Sequence, residues 1–302
     1  MIVDCHGHFN TAADFERNAK KYLKDTLGKM VIEGATQLWK SWEEQTTVEG
    51  WLASLDRYGV DKILLQTAPF GSSDAVAEFV KKAPDRFVGL ANIDFMEPEE
   101  SNSVAEMERC VKELGLKGIG ELYPKIGPWN PSDEKCFPLY EKAQELDIPI
   151  MFHFGNEVPA TFGNEGWCDP YMLDTALRQF PGVKFIICHM GTTYVHHVLM
   201  LMQSRPNLYA EISSADGPVI PRPPLSSLSA KEVLGAFLWS GLAKRLLWAT
   251  DVQLPYDVDG RKDRLQGTIK DNPVVKLLEE WNISEEDKAN ILGENAKRVF
   301  KL

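Results

Sequence analysis

MIVDCHGH, Met1 to His8, is a short apolar run that stops on two histidines separated by a single glycine. Four of the six histidines in the chain close a run of this kind: His6 and His8 here, His153 in IPIMFHF and His189 in VKFIICHM. Asp251 follows a similar run, RLLWATD. Read for punctuation, the sequence offers eight strand candidates, at residues 2–6, 62–66, 87–93, 118–122, 148–152, 184–188, 208–212 and 245–250. Helical patterns lie between them, at 48–58, 75–82, 103–114, 133–146, 170–180 and 231–240, with Gly or Pro near many ends. Strands alternating with helices predict a parallel sheet joined by right-handed crossovers, and eight such units predict an α/β fold, the (β/α)8 TIM barrel. A closed barrel gathers its strand C-terminal ends at one mouth. Four imidazoles and a carboxylate then converge there, the donor set of a catalytic Zn²⁺ or a similar ion.

Composition narrows the function classes. The 302 residues are 44% hydrophobic, enough for a large core, and one domain over 1–302 is expected. Asp and Glu number 44 against 33 Lys and Arg, a net charge of −11 that repels nucleic-acid phosphates and anionic lipid. Neither nucleic acid nor a membrane is an expected partner; a small-molecule substrate is. Five cysteines without a CxxC pair fit free thiols in a reducing compartment. With no basic leader after Met1 and no apolar run of about 18 residues, a soluble, cytoplasmic protein is expected.

Two interruptions of the βα rhythm stand out. Residues 11–47, within the long connection after the first strand, are partly helical by pattern, carry Trp39 and Trp42, and are expected to lie over the mouth as a lid. Residues 215–229 hold Pro218, Pro221, Pro223 and Pro224 and are expected to form a second mouth loop after strand seven. At 284–302 a capping box on Ser284 opens a closing helix.

Alternation along a strand turns His6 and His8 inward and Cys5 and Gly7 toward the helices. Their Cα atoms are expected about 6.6 Å apart, close enough to share an ion. Phe9, Phe70, Tyr123, Trp129, Phe154, Phe162, Trp167 and Tyr256 fall just after strands, where rings either line a pocket for a flat substrate or pack loops onto the barrel. Phe70 and Trp129 are candidates for substrate contact, and Lys125 and Arg222 for pairing a substrate carboxylate. His196 and His197 are adjacent on a helix and do not share a face, so packing rather than a joint metal site is expected.

DCHGH, PDRFVGLANID, LGLKGIGELYP, FHFG, CHMG, WATDVQLP and GENAKRVFKL, in this order along nearly the whole chain, resemble the amidohydrolase superfamily, in the branch that includes aminocarboxymuconate-semialdehyde decarboxylase. The resemblance implies that His6, His8 and His153 bind a divalent metal, with Asp251 as a further ligand or as the base beside the metal-bound water. His189 is implied to be the acid/base group. In GIGELYP, Glu121 stands where many relatives have Lys nearby; it either bridges two ions or orients a histidine. Zn²⁺ is the first choice of metal, although Mn²⁺, Fe²⁺ and Co²⁺ accept the same donors. The assembly is left open, with a homodimer among the candidates.

Three functions follow. The first is a metal-dependent hydrolase acting on a C–O or C–N bond of a small carboxylated or aromatic substrate. The second is a metal-dependent non-oxidative decarboxylase, and the third a non-catalytic metal-binding barrel. Two ions bridged by Glu121 favour hydrolysis; one ion with Glu121 free favours decarboxylation.

Overall fold

The eight expected strands are β1 (Val3–His8), β2 (Lys62–Gln66), β3 (Phe87–Gly89), β4 (Ile119–Leu122), β5 (Ile150–Phe152), β6 (Phe185–Ile187), β7 (Leu208–Glu211) and β8 (Leu246–Leu247). The computed structural model describes residues 1–24, 26–67, 69–126, 129–155, 165–213, 230–256 and 267–302. Every strand pairs in parallel with its sequence neighbour, in the runs β1-β2-β3 and β4-β5-β6-β7-β8. Two seams join the runs into a ring. The Ala91–Ile119 bridge and the bond from Ala91 N to Gly118 O (2.8 Å) tie β3 to β4, and the Gly7–Val252 bridge with Cys5 N to Trp248 O (3.1 Å) ties β1 to the eighth strand. The fold is the TIM barrel expected from the sequence. β3 and β8 pair over fewer residues than the expected 87–93 and 245–250; past them the chain is held by the isolated bridges.

Strand residues sort into two clusters with the two-residue period of a pleated strand. Ile63, Leu65, Ile150, Phe152, Phe185, Ile187 and Leu246 pack with helix residues such as Trp51, Leu55 and Val76. Leu64, Met151, Ile186 and Leu247 pack instead with one another and with Val299 and Phe300, filling the barrel from its base. Burial on both faces is why these strands read as continuous apolar runs.

Local chemistry sets the helix ends. In Val48–Tyr58, Thr47 caps the first turn by accepting from Gly50 N (3.0 Å), Trp51, Leu55 and Tyr58 recur on the buried face, and Gly59 at φ 84° ends the helix. The patterns at 133–146 and 170–180 each begin with a 3₁₀ turn before the α-helix, which runs over Phe137–Leu146 in one and Asp174–Gln179 in the other. Pro273–Glu280, capped by Asn272, adds a helix not drawn from the sequence.

The connection after β1 forms two helices, Ala12–Tyr22 and Thr26–Glu43, packed on each other. Phe15 and Trp39 join Phe70 and Ile126 in a small cluster beyond the strand ends, and Asn18 Nδ2 donates to Phe70 O at 2.9 Å. The helices therefore sit beside the mouth. The proline-rich 215–229 lies outside the described residues. At the C-terminus Ser284 accepts from Asp287 N (3.0 Å), and the last helix is Asn295–Phe300. All five cysteines are buried, and none is in a disulfide.

Asn295 fastens that last helix to the barrel. Fully buried, its Nδ2 donates to Ala243 O (2.8 Å) and Leu246 O (2.7 Å), the backbone leading into β8. Asn295→Ala strands both carbonyls and is expected to cost about 2–4 kcal/mol in urea denaturation. A loss below about 1 kcal/mol would show that the two bonds do not hold the helix.

Candidate metal centre

Two register shifts build the site. Between Asp4–Ile63 and Gly7–Leu65, β1 spends Cys5 and His6 opposite the single residue Leu64. Between Ile119–Ile150 and Leu122–Phe152, β4 spends Gly120 and Glu121 opposite Met151. Each bulge turns an extra side chain into the barrel, which re-aims polar groups at a strand end. This corrects the expected facing of Cys5, which belongs to the interior cluster rather than to the helix layer. Gly7 faces outward as expected: a Cβ there would lie 2.6 Å from Ile63 Cδ1.

Glu121, 2% exposed, stands among the gathered imidazoles. Its Oε2 is 3.3 Å from His6 Nε2 and 4.0 Å from His8 Nε2, and accepts from Tyr123 OH at 2.5 Å. Its Oε1 is 2.8 Å from His153 Nδ1 and 3.3 Å from His189 Nε2. Asp251 Oδ1 lies 3.1 Å from His8 Nε2 and 3.6 Å from His6 Nε2. The four strand-end histidines and Asp251 thus come together, as the sequence pattern predicts. His189 and Asp251 are both held at left-handed φ, 55° and 56°, a conformation that costs a non-glycine residue about 1 kcal/mol.

Charge balance marks the cluster as a cation site. Glu121, Glu211 and Asp251 share it with four imidazoles, and the first two carboxylates have essentially no contact with solvent. Burial opposes a charge on His6, yet the Glu121 and Asp251 carboxylates outweigh it and hold its pKa well above the ordinary 6.5. Burial likewise pushes Glu121 up, but His6 and His153 outweigh it and hold the carboxyl well below 4.5. His8 goes the other way, lowered by burial despite its bond to Asp251. His6 Nε2 and His8 Nε2 are 3.0 Å apart, and His8 Nδ1 and His153 Nε2 are buried without a partner among the described residues. Two facing ring nitrogens share at most one proton, whereas a cation between them satisfies both. Among the described residues, groups of three ligand atoms within 4.8 Å of one another are His6, His8 and Glu121; His6, His189 and Asp251; Glu121, His153 and His189; and His6, Cys188 and Glu211. The donors fit a divalent metal.

A match to the family described as Amidohydrolase spans residues 3–302. The chain belongs to the amidohydrolase family. Its relatives include 2-keto-4-carboxy-3-hexenedioate hydratase from Sphingobium sp., 26% identical over 65% of this chain and 67% of that protein. A second is 2-amino-3-carboxymuconate-6-semialdehyde decarboxylase from Dictyostelium discoideum, 25% identical over 76% of this chain and 65% of that protein. Among solved structures, a dihydroxybenzoic acid decarboxylase from Polaromonas sp. with bound manganese and the inhibitor 2-nitroresorcinol superposes with a TM-score of 0.64. It is 20% identical and covers 100% of this chain and 97% of its own, a likeness of fold. These relatives are enzymes.

Beside the amidohydrolase cluster lies a cavity of about 390 Å³, a volume suited to a small molecule. Glu121 and Tyr123 belong to its wall and to the cluster; Phe70, Trp129, Arg17 and Lys21 complete much of the rest. Phe70 and Trp129 therefore stand where substrate contacts were expected. Lys125 is 1% exposed and does not line the cavity, and Arg222 and Phe162 lie outside the described residues. Arg17 and Lys21, missed in the sequence, come from the first inserted helix; they pair with Asp14 and with Asp94 and Glu97. Phe9, Phe154 and Tyr256 pack on Phe79, Phe152 and Tyr58, whereas Trp167 is half-buried. His197 pairs with Asp169 (2.8 Å) and stacks on Tyr171, and His196 is exposed. Tyr123, one of the rings expected at the mouth, lines the cavity, and Glu211 was also missed. Glu211 had a legible signal, a lone acid in the apolar run LYAEI.

The His6–Glu121 pair predicts a pH signature of the metal-free protein. His6, raised when folded, stabilises fully below 6.5 and loses this as pH climbs through its folded value; Glu121, depressed, stabilises above 4.5 and loses it on acidification. In chelator, wild-type stability is expected to fall above pH 6.5 with a slope of up to about 1.4 kcal/mol per unit, and less steeply in Glu121→Gln. Equal slopes in urea titrations of the two proteins would contradict the pairing.

Proposed function

We propose that the chain is a metal-dependent hydrolase acting on a C–O or C–N bond of a small carboxylated or aromatic substrate. The observation that carries this is the division of Glu121. One oxygen faces His6 and His8, the other faces His153 and His189. A carboxylate so divided can contribute to holding two ions, with His6, His8 and Asp251 as the further residues for one and His153 and His189 for the other.

Divalent ions held by these residues would supply Lewis acidity, polarising a substrate oxygen and lowering the pKa of water. The protein's own groups do the rest. Asp251, with its side chain still 20% exposed and facing the donors, takes the proton of the attacking water. Phe70, Tyr123 and Trp129 supply an apolar wall for a planar substrate and exclude water from it. The metal choice stays with Zn²⁺, while the Polaromonas neighbour supports Mn²⁺ equally, since both ions accept imidazole and carboxylate.

A second reading is non-oxidative decarboxylation, favoured by one contact. The 2.8 Å approach of His153 Nδ1 to Glu121 Oε1 also suits a hydrogen bond, with the bare Nε2 of His153 left as a ligand. Glu121 then orients a histidine beside a single ion, and His189 serves as the proton donor that replaces CO₂. The two decarboxylases named above support this chemistry, and the named substrates of these and of the hydratase support a small carboxylic acid under either reading.

Metal content separates the two. Protein loaded with Zn²⁺ or Mn²⁺ and desalted is expected to hold two ions per chain and to hydrolyse members of a lactone and amide panel. Glu121→Gln is expected to keep one ion at most and to lose more than about 100-fold in rate. One ion in both proteins, with CO₂ released from aromatic carboxylic acids, overturns the hydrolase in favour of the decarboxylase.

A further inference from the structure

Glu211, at the end of β7, is completely buried and belongs to neither ligand set proposed above. Its Oε2 receives four approaches: His6 Nδ1 at 3.0 Å, His189 N at 3.2 Å, Ser213 Oγ at 3.1 Å and, more distantly, His189 Nδ1 at 3.5 Å. Its Oε1 accepts from Ser213 N. Ser213 Oγ in turn stands 2.6 Å from His189 Nδ1. Glu211 and Ser213 face the interior by simple strand alternation, two residues apart.

We propose that Glu211 and Ser213 form a relay that positions His6 and His189 by fixing a proton on Nδ1 of both rings. This rests on the metal-dependent reading above. The argument is one of counting protons. A carboxylate only accepts, so His6 Nδ1 carries the hydrogen of that bond, and wherever the ring is neutral, as a metal ligand must be, His6 Nε2, 3.3 Å from Glu121, is left as a lone pair. Ser213 has a single hydroxyl proton, which goes to Glu211 Oε2. Its oxygen is then the acceptor for His189, so His189 also carries hydrogen on Nδ1 and turns a bare Nε2 toward the centre. That lone pair either holds an ion or, in the decarboxylase reading, first takes up the proton that His189 then delivers. One buried acid thereby sets two rings from different strands, and a histidine flipped to the other tautomer presents N–H where a lone pair is needed.

Neither residue touches the cavity, which makes them positioning groups, and the test reads the proton positions themselves. Full-length protein labelled with ¹⁵N-histidine and loaded with Zn²⁺ is expected to show Nδ1–H on His6 and His189 in imidazole ¹H–¹⁵N correlation spectra. Ser213→Ala is expected to release the His189 tautomer and leave His6 unchanged, and Ser213→Thr to restore it. Glu211→Ala is expected to disturb both rings and weaken Zn²⁺ binding by about 10–100-fold in chelator competition. If Glu211→Ala does not fold, the serine pair still decides the His189 arm. Nε2–H on either ring in the wild type, or tautomers and affinity unchanged in the variants, overturns the relay. A wild type that takes up no Zn²⁺ sinks the metal reading alone; the same spectra on the metal-free protein at alkaline pH then judge the relay.

Discussion

A buried carboxylate ringed by imidazoles is the constraint on which the rest of this structure depends. Glu121 is shut away from solvent, with four histidines disposed around its two oxygens. An isolated charge in such a place is costly, and the carboxylate persists because positive charge or hydrogen-bond donors meet it on every side. In the metal-free protein the Glu121 and Asp251 carboxylates raise the His6 pKa well above its ordinary value and so favour that charge on its ring. A divalent ion supplies more of it and releases the ring nitrogens to act as ligands, so protons and metal compete for the same atoms.

The fold maintains this arrangement against its cost. Bulges in β1 and β4 break the ladder to bring His6 and Glu121 inward, and left-handed φ values at His189 and Asp251 store strain at the mouth. What over-determines these positions is the barrel itself. Its interior is packed from Leu64 down to Phe300, and its seam is clamped where Asp4, its pKa pushed up to about 6 by burial, accepts from Thr250 and Tyr256. A rigid base thus carries a strained, polar rim, the division usual for functional barrels.

Much of this was legible in the sequence. The βα rhythm gave the barrel, and apolar runs ending in His6, His8, His153, His189 and Asp251 gave the gathering of donors, because strand C-termini share one end of the ring. What strict alternation does not convey is a bulge. It sends Cys5 outward, yet the register shift leaves that thiol in the interior beside Leu64. In β4, Gly120 was the visible hint of irregular pairing, and it explains why Glu121 turns inward although Ile119 and Leu122 face the helices. Arg17 and Lys21 were beyond reach for another reason: the packing of the inserted helices against the mouth is a tertiary property that no local pattern encodes. Glu211 was within reach, since the rule that found Asp251 applies equally to the acid in LYAEI.

The central claim is that these donors hold metal around Glu121. Crystals soaked in Zn²⁺ and measured on both sides of the zinc absorption edge test it most directly. The account predicts anomalous peaks inside the histidine ring with a Glu121 oxygen coordinated to each of two ions. An empty ring under saturating metal, or a peak elsewhere with Glu121 still bonded only to protein, would contradict it.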